Sequence, residues 1–246
     1  MQTYEWNRLS SAQRAALLRR PALQDDAALQ NRVGEIIERV RRQGDRALLE
    51  LTEQLDRVRL SSIEVSTSEL DAAEGALEKE QKEAIATAAA NVRRFHAAQL
   101  AAPLRIETSP GVVCERVSRP IARVGLYVPA GSAPLPSTAM MLAVPASLAE
   151  CETRILCSPP QPDGTAHPAV LYVARLCGVQ RVYKLGGAQA IAAMAYGTET
   201  VPKVDKIFGP GNTWVTAAKA RVVQDPDGAA LDMPAGPSEV LVIADD

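Results

Sequence analysis

Val204-Asp205-Lys206-Ile207-Phe208-Gly209-Pro210-Gly211-Asn212-Thr213-Trp214-Val215 runs a short apolar segment into a glycine-rich turn and then into a helix-like segment that continues to Val223. Strand, glycine turn and helix in that order is how α/β proteins build a seat for an anionic ligand. The glycines let the backbone approach closely, and the helix N-terminus offers unpaired N–H groups and partial positive charge. A Gly-Pro turn on its own often only redirects the chain, so its surroundings must decide.

Upstream of this stretch the same alternation repeats. Ala122 to Val128 reads as a strand and Ser137 to Ala149 as a helix bent at Pro145. Thr153 to Cys157 is the next strand, Ser158 to Pro168 a loop, Ala169 to Cys177 a helix, Arg181 to Lys184 a strand and Ala188 to Tyr196 a helix. Downstream, Ala230 to Met233 and Val240 to Ile243 are two more strand-like runs. This predicts an α/β fold with a mostly parallel sheet and helices on its faces.

Composition changes near Pro120, before which charges are dense and Gly and Pro sparse. The first twenty residues read as a small amphipathic helix, with an N-cap in Leu9 to Gln13, Leu17 and Leu18 at helical spacing and Pro21 as its stop. Leu29, Val33, Ile36, Ile37 and Val40 form one apolar stripe, Gly44-Asp45 interrupts and re-caps it, and Leu48, Leu51 and Leu55 continue as a third helix. Ser62 to Ser66 alternates like a short strand. Thr67 to Ala101 is helical, with Ile85, Ala88, Val92 and Phe95 as its apolar face and Glu78 to Glu83 as a solvated one. Leu104 to Val117 reads as two strands about the turn Ser109-Pro110-Gly111.

A net charge of −2 favours neither nucleic acid nor an anionic membrane as partner. No apolar run is long enough to span a bilayer, and the first residues do not form a signal peptide, so a cytoplasmic location is expected. Cys114, Cys151, Cys157 and Cys177 make no C-x-x-C pair and are expected to be small buried thiols. None opens a helix in an electropositive setting, which argues against a cysteine nucleophile. His96 and His167 read as exposed residues rather than ligands, and no cluster has metal-ligand spacing.

Ligands of open parallel sheets bind beyond the carboxyl ends of the strands. The loops there are Tyr127 to Ser132, Gly186-Gly187-Ala188-Gln189, Gly209 to Asn212, and Ala235 to Glu239, and they are expected to converge on one crevice. Gly186-Gly187 and Gly211 lead into helix starts suited to a pyrophosphate. Gln189 and Asn212 carry amides for ribose or carboxamide groups, Tyr127 a ring and a hydroxyl, and Ser238 a hydroxyl. Each has a bland alternative: Asn212 as a plain N-cap, Gln189 as a solvated first-turn residue, Tyr127 as core or rim, Ser238 as a turn residue. There is no G-x-G-x-x-G fingerprint.

Taken together, Val124 to Pro129, Gly186 to Ala192, Gly209 to Asn212 and Asp232 to Val240 resemble histidinol dehydrogenase, and Trp6, Leu9-Ser10 and Leu17 to Pro21 are similar as well. The resemblance implies oxidation of L-histidinol through L-histidinal to L-histidine with two NAD+ and one zinc, by a homodimer. It places Tyr127, Gln189 and Asn212 on NAD and Ser238 on histidinol. It also implies two Rossmann-like parallel-sheet domains. One is incomplete and built from 26–120 plus 235–246; the other is the NAD-side domain, 121–234; and a helical segment, 1–25, precedes both. The family's Gln-x-x-His, Asp and His zinc ligands and its Glu-His acid/base pair lie beyond the last matching motif. No metal ligand or acid/base residue is therefore assigned in this chain, which is expected to be an N-terminal portion, inactive alone. The competing expectation is a non-catalytic NAD- or nucleotide-binding module, or an interaction protein.

Overall fold

Arg123–Tyr127 (β3) is the middle strand of a five-stranded sheet in the computed structural model, which describes residues 3–18, 27–130 and 134–232. Its neighbours are Thr153–Ser158 (β4) and Lys206–Phe208 (β6). Arg181–Lys184 (β5) lies outside β4, and Ala230–Leu231 (β7) outside β6. All four pairings are parallel. The chain steps outward from β3 to β4 to β5, then returns to lay β6 and β7 on the other side of β3. Numbered from β3, that is the order 3-2-1-4-5 of the Rossmann fold, with its switch point between β3 and β6. Burial on both faces explains why these strands read as apolar runs rather than as alternations.

Crossover helices link the strands. Pro136–Leu148 (α5) and Pro168–Leu176 (α6) cover one face, and Gly187–Tyr196 (α7) and Thr213–Val222 (α8) the other. Earlier segments complete both layers. Ala27–Leu51 (α2), which follows the short N-terminal helix Ser11–Leu18 (α1), packs Val33, Ile37, Val40, Leu48 and Leu51 against Ile191 and the buried alanines of α7. On the opposite face, Thr67–Gly75 (α3) lies against α6, and Lys79–Ala97 (α4) against α5.

The interruption expected at Gly44-Asp45 is a kink within the single helix Ala27–Leu51 rather than the start of a third helix, and Leu55 falls in the turn after it. Gly44 has φ 54°, a left-handed conformation open to glycine. Asp45 then anchors α2 to the loop after α7, accepting from Thr198 Oγ1 at 2.5 Å and from Thr200 Oγ1. At the start of α1, Ser10 and Gln13 cap reciprocally.

Several expectations need correction. Ser62 to Ser66 does not form a strand of its own; it adds a single antiparallel bridge to the outer edge of β5. Val65 N–H donates to Val182 O at 2.9 Å, and Ile63 O accepts from Lys184 N–H at 2.7 Å. The helical run 67–101 is two helices. The second starts afresh where Gln81 Oε1 accepts from Glu78 N–H at 2.9 Å. Its packed face is Ile85, Ala89 and Val92, and Phe95 is 65% exposed. Leu104–Ser109 (β1) and Val112–Arg116 (β2) form the expected antiparallel hairpin, but every residue in both strands is exposed. Cys114 is therefore an exposed thiol, whereas Cys151, Cys157 and Cys177 are buried. The described part of 26–120 contributes helices and this hairpin; a second parallel sheet is not present among the described residues. The strand expected at 240–243 lies outside them.

Candidate functional site

At the switch point, the carboxyl ends of β3 and β6 frame a cavity of about 960 Å³. Tyr127, Gln189 and Asn212 all line it, so three of the four loop residues singled out in the sequence meet on one crevice. Ser238, with the loop 235–239, lies outside the described residues.

The turn after β6 is held from beneath. Gly209 has φ 127°, and a Cβ there would run into the carbonyl oxygen of Tyr127. Its N–H donates to Asp232 Oδ2 at 2.7 Å, and its carbonyl accepts from Lys219 Nζ at 2.6 Å. Lys219, itself buried, pairs with Asp232 Oδ1 at 2.6 Å. This clamp divides the turn. Asn212 borders the large cavity, while Gly209, Pro210 and Gly211 line a separate one of about 460 Å³ with Lys219 and Asp232.

Asn212 is the N-cap of α8: its Oδ1 accepts from Val215 N–H at 3.1 Å. That leaves its Nδ2, which has no hydrogen bond among the described residues, on an exposed residue at the cavity. Capping and ligand contact are therefore compatible uses of the same side chain.

Tyr127 is only 3% exposed and belongs to the core beneath α7 as well as to the cavity wall. Its hydroxyl accepts from Gly187 N–H at 3.1 Å. Burial pushes the phenol up to about 12, so it stays protonated near neutrality. This contact revises the expected pyrophosphate cradle, since the first N–H of α7 is already taken by the tyrosine.

Gln189 is 1% exposed, which removes its solvated alternative. Its Nε2 donates to Asp56 Oδ2 at 3.2 Å, and its Oε1 is buried with no donor among the described residues. A buried amide oxygen left unpaired is costly unless a ligand or water satisfies it.

Asp56 and His167 also reach the cavity, and neither stood out in the sequence. Asp56 ends a π-helical turn, Thr52–Asp56, ahead of Arg57, whose φ of 60° is rare outside glycine. Burial raises its carboxyl above the ordinary value. His167, read as an exposed loop residue, is half-buried and caps α6 through Nδ1, which accepts from Ala169 N–H at 3.2 Å. Burial lowers its pKa. The signal for His167 was in the sequence: a residue ahead of Pro168, the first residue of a helix, occupies the cap. Asp56 carried no such signal, because it meets Gln189 only through the fold.

The chemistry on offer is recognition. Amide and hydroxyl groups and one carboxylate surround a large, partly apolar cavity at a strand switch point, suited to a nucleotide-sized ligand. Among the described residues, no group of three His, Cys, Asp or Glu is placed to hold a metal ion. Zinc therefore has no matching donor set there.

Comparison with known proteins shows the family and the fold. Residues 18–246 match the histidinol dehydrogenase family model. The chain is 56% identical over 246 residues to the histidinol dehydrogenase of Vibrio cholerae, covering all of this chain and 56% of that protein. It is 57% identical over 245 residues to that of Xylella fastidiosa, covering 57% of it. The crystal structure of histidinol dehydrogenase from Elizabethkingia anophelis superposes with a TM-score of 0.85 at 46% identity, over 94% of this chain and 52% of that one. The chain thus spans a little over half the length of these relatives.

Proposed function

The chain belongs to the histidinol dehydrogenase family, and we propose that it carries the NAD side of that enzyme's active centre. The carrying observation is the meeting of Tyr127, Gln189 and Asn212 on one cavity at the switch point between β3 and β6. Bound there, NAD supplies the hydride acceptor. The chain's own residues bind and orient it. Asn212 Nδ2 donates to a ligand acceptor, the Gln189 carbonyl accepts from a ligand donor, and the Tyr127 hydroxyl offers its proton while holding the start of α7.

L-Histidinol as the alcohol substrate, Ser238 as its contact, zinc as a second cofactor and a cytoplasmic setting belong to the same proposal. So does a homodimer, for which the exposed Leu104, Ile106, Val112 and Val113 of the hairpin supply apolar surface to cover. No helix among the described residues is long and apolar enough to cross a membrane.

Calorimetric titration of the chain with NAD tests the proposal. Saturable one-to-one binding is expected, weakened about two- to tenfold in Gln189→Met, as for loss of a hydrogen bond between neutral groups. Absence of binding to the unaltered chain contradicts it.

A further inference from the structure

Asp56 is tied to the cavity wall by one contact. Its only hydrogen bond among the described residues comes from Gln189 Nε2 to Oδ2, at 3.2 Å. A carboxylate only accepts, so it takes the NH2 end of the Gln189 amide and rejects the carbonyl end. Gln189 is 1% exposed, and its Oε1 is buried with no donor among the described residues. The amide is thus held in the orientation that orphans its carbonyl, although an orphaned buried acceptor is the costly state. The backbone on both sides is shaped to this arrangement. Gln189 folds back over the first residue of α7, where Gly187 has φ 60° and a Cβ would lie 2.7 Å from Oε1. On the other side, Asp56 ends its π-helical turn against Arg57, whose φ of 60° is rare outside glycine.

We propose that Asp56 is a positioning residue: it acts through Gln189, fixing the amide with its NH2 group toward the π-helical turn and its carbonyl as the acceptor for a ligand N–H or O–H, and does not itself touch the ligand. This rests on the NAD reading above, in which that ligand is the dinucleotide. The chemistry explains why a carboxylate stands here. An amide or hydroxyl at position 56 both donates and accepts, so it would satisfy either end of Gln189 and leave the polarity of the wall undecided. An apolar residue would leave whichever end faced it unpaired, so nothing would select the carbonyl for the ligand. A carboxylate admits one orientation only.

The test is a double-mutant cycle on NAD affinity with Asp56→Leu and Gln189→Met. Each single variant should weaken NAD about two- to tenfold, as for a hydrogen bond between neutral groups. In the Gln189→Met background, Asp56→Leu should change the affinity by less than about twofold, because the group it orients is gone. Asp56→Asn, nearly the same shape, needs no repacking. It should bind NAD about twofold more weakly, the cost of an amide shared equally between two orientations, while melting at a higher temperature than the parent. A part in folding alone would move stability and affinity in the same direction. Losses that multiply in the double variant would put Asp56 on the ligand itself and overturn the positioning role. NAD affinity unchanged in both Asp56 variants would overturn it too, and in either case the NAD reading stands. If the unaltered chain binds no NAD, that reading fails and takes this one with it.

Discussion

Asn212 serves the fold and the cavity through different atoms, and the two uses can be separated. Its Oδ1 caps α8, while its Nδ2 is the group assigned to the ligand. Asn212→Ser keeps a good capping residue and deletes the amide; Asn212→Ala deletes both. The serine variant should therefore melt near the parent temperature yet bind NAD about two- to tenfold more weakly. The alanine variant should lose about 1 kcal/mol of stability as well. Equal NAD affinity in parent and serine variant would remove Asn212 from the ligand. Asp56 behaves in the opposite sense. Burial raises its carboxyl, so the folded state disfavours the ionised form. Below the unfolded value of about 3.9 both states are protonated and nothing is lost. As pH rises through the folded value, ionisation costs stability. Asp56→Asn should accordingly raise the melting temperature at pH 7, with the gain disappearing by about pH 3. A carboxylate retained against such a cost is one expected to serve a binding site.

The β6–α8 unit shows what a short stretch of sequence can and cannot reveal. Its strand, turn and helix were legible because local chemistry dictates them: an apolar run, a glycine with positive φ and an asparagine cap. The clamp beneath was not legible, because it joins Lys219, in the last turn of α8, to Asp232, after β7. Lys219→Met should leave Asp232 Oδ1 and the Gly209 carbonyl without their donor, while Asp232 Oδ2 keeps the Gly209 N–H. We expect a loss of about 2–3 kcal/mol in chemical denaturation. That is short of the roughly 3–5 for a fully buried pair, because Asp232 is about a quarter exposed. NAD affinity should fall in parallel as the Asn212 turn loosens. Unchanged stability would mean that the turn is held by Gly209 and its neighbours alone. The same distinction explains the corrections elsewhere. Helical spacing placed Phe95 on the packed face of α4, but the neighbour on that side, α5, reaches only as far as the row of Ile85, Ala89 and Val92. Alternation in Ser62 to Ser66 showed extended backbone without revealing that it would bridge the outer edge of β5.

Over the whole molecule, α2, α3 and α4 from before Pro120 complete the two layers begun by the crossover helices. Several carboxylates fasten those layers. Asp205 receives the Arg123 guanidinium at 2.6 Å, tying β3 to the start of β6. Asp225 accepts from Arg41 on α2 at 2.9 Å and from Tyr196 on α7 at 3.0 Å. The Arg123 hydrogen bond holds Asp205 below the ordinary carboxylate range. Asp225 is held low first by the Asp227 backbone N–H and then by Tyr196. With folded values depressed, their stabilisation is present above the unfolded value of about 3.9 and is lost as pH falls through the folded ones. Thermal melts should therefore fall below about pH 4, less steeply in Asp205→Asn; a flat acid limb would remove these pairs from the account. These ties hold the sheet and its layers at the end away from the cavity, and for the cavity itself the most direct measurement is a crystal structure of the chain grown with NAD. The account predicts the dinucleotide in the cavity bordered by Tyr127, Gln189 and Asn212, with Asn212 Nδ2 and Gln189 Oε1 each within hydrogen-bond distance of it. An empty cavity at saturating NAD, or a dinucleotide seated elsewhere, such as the apolar groove beside Met141 and Phe208, would contradict it.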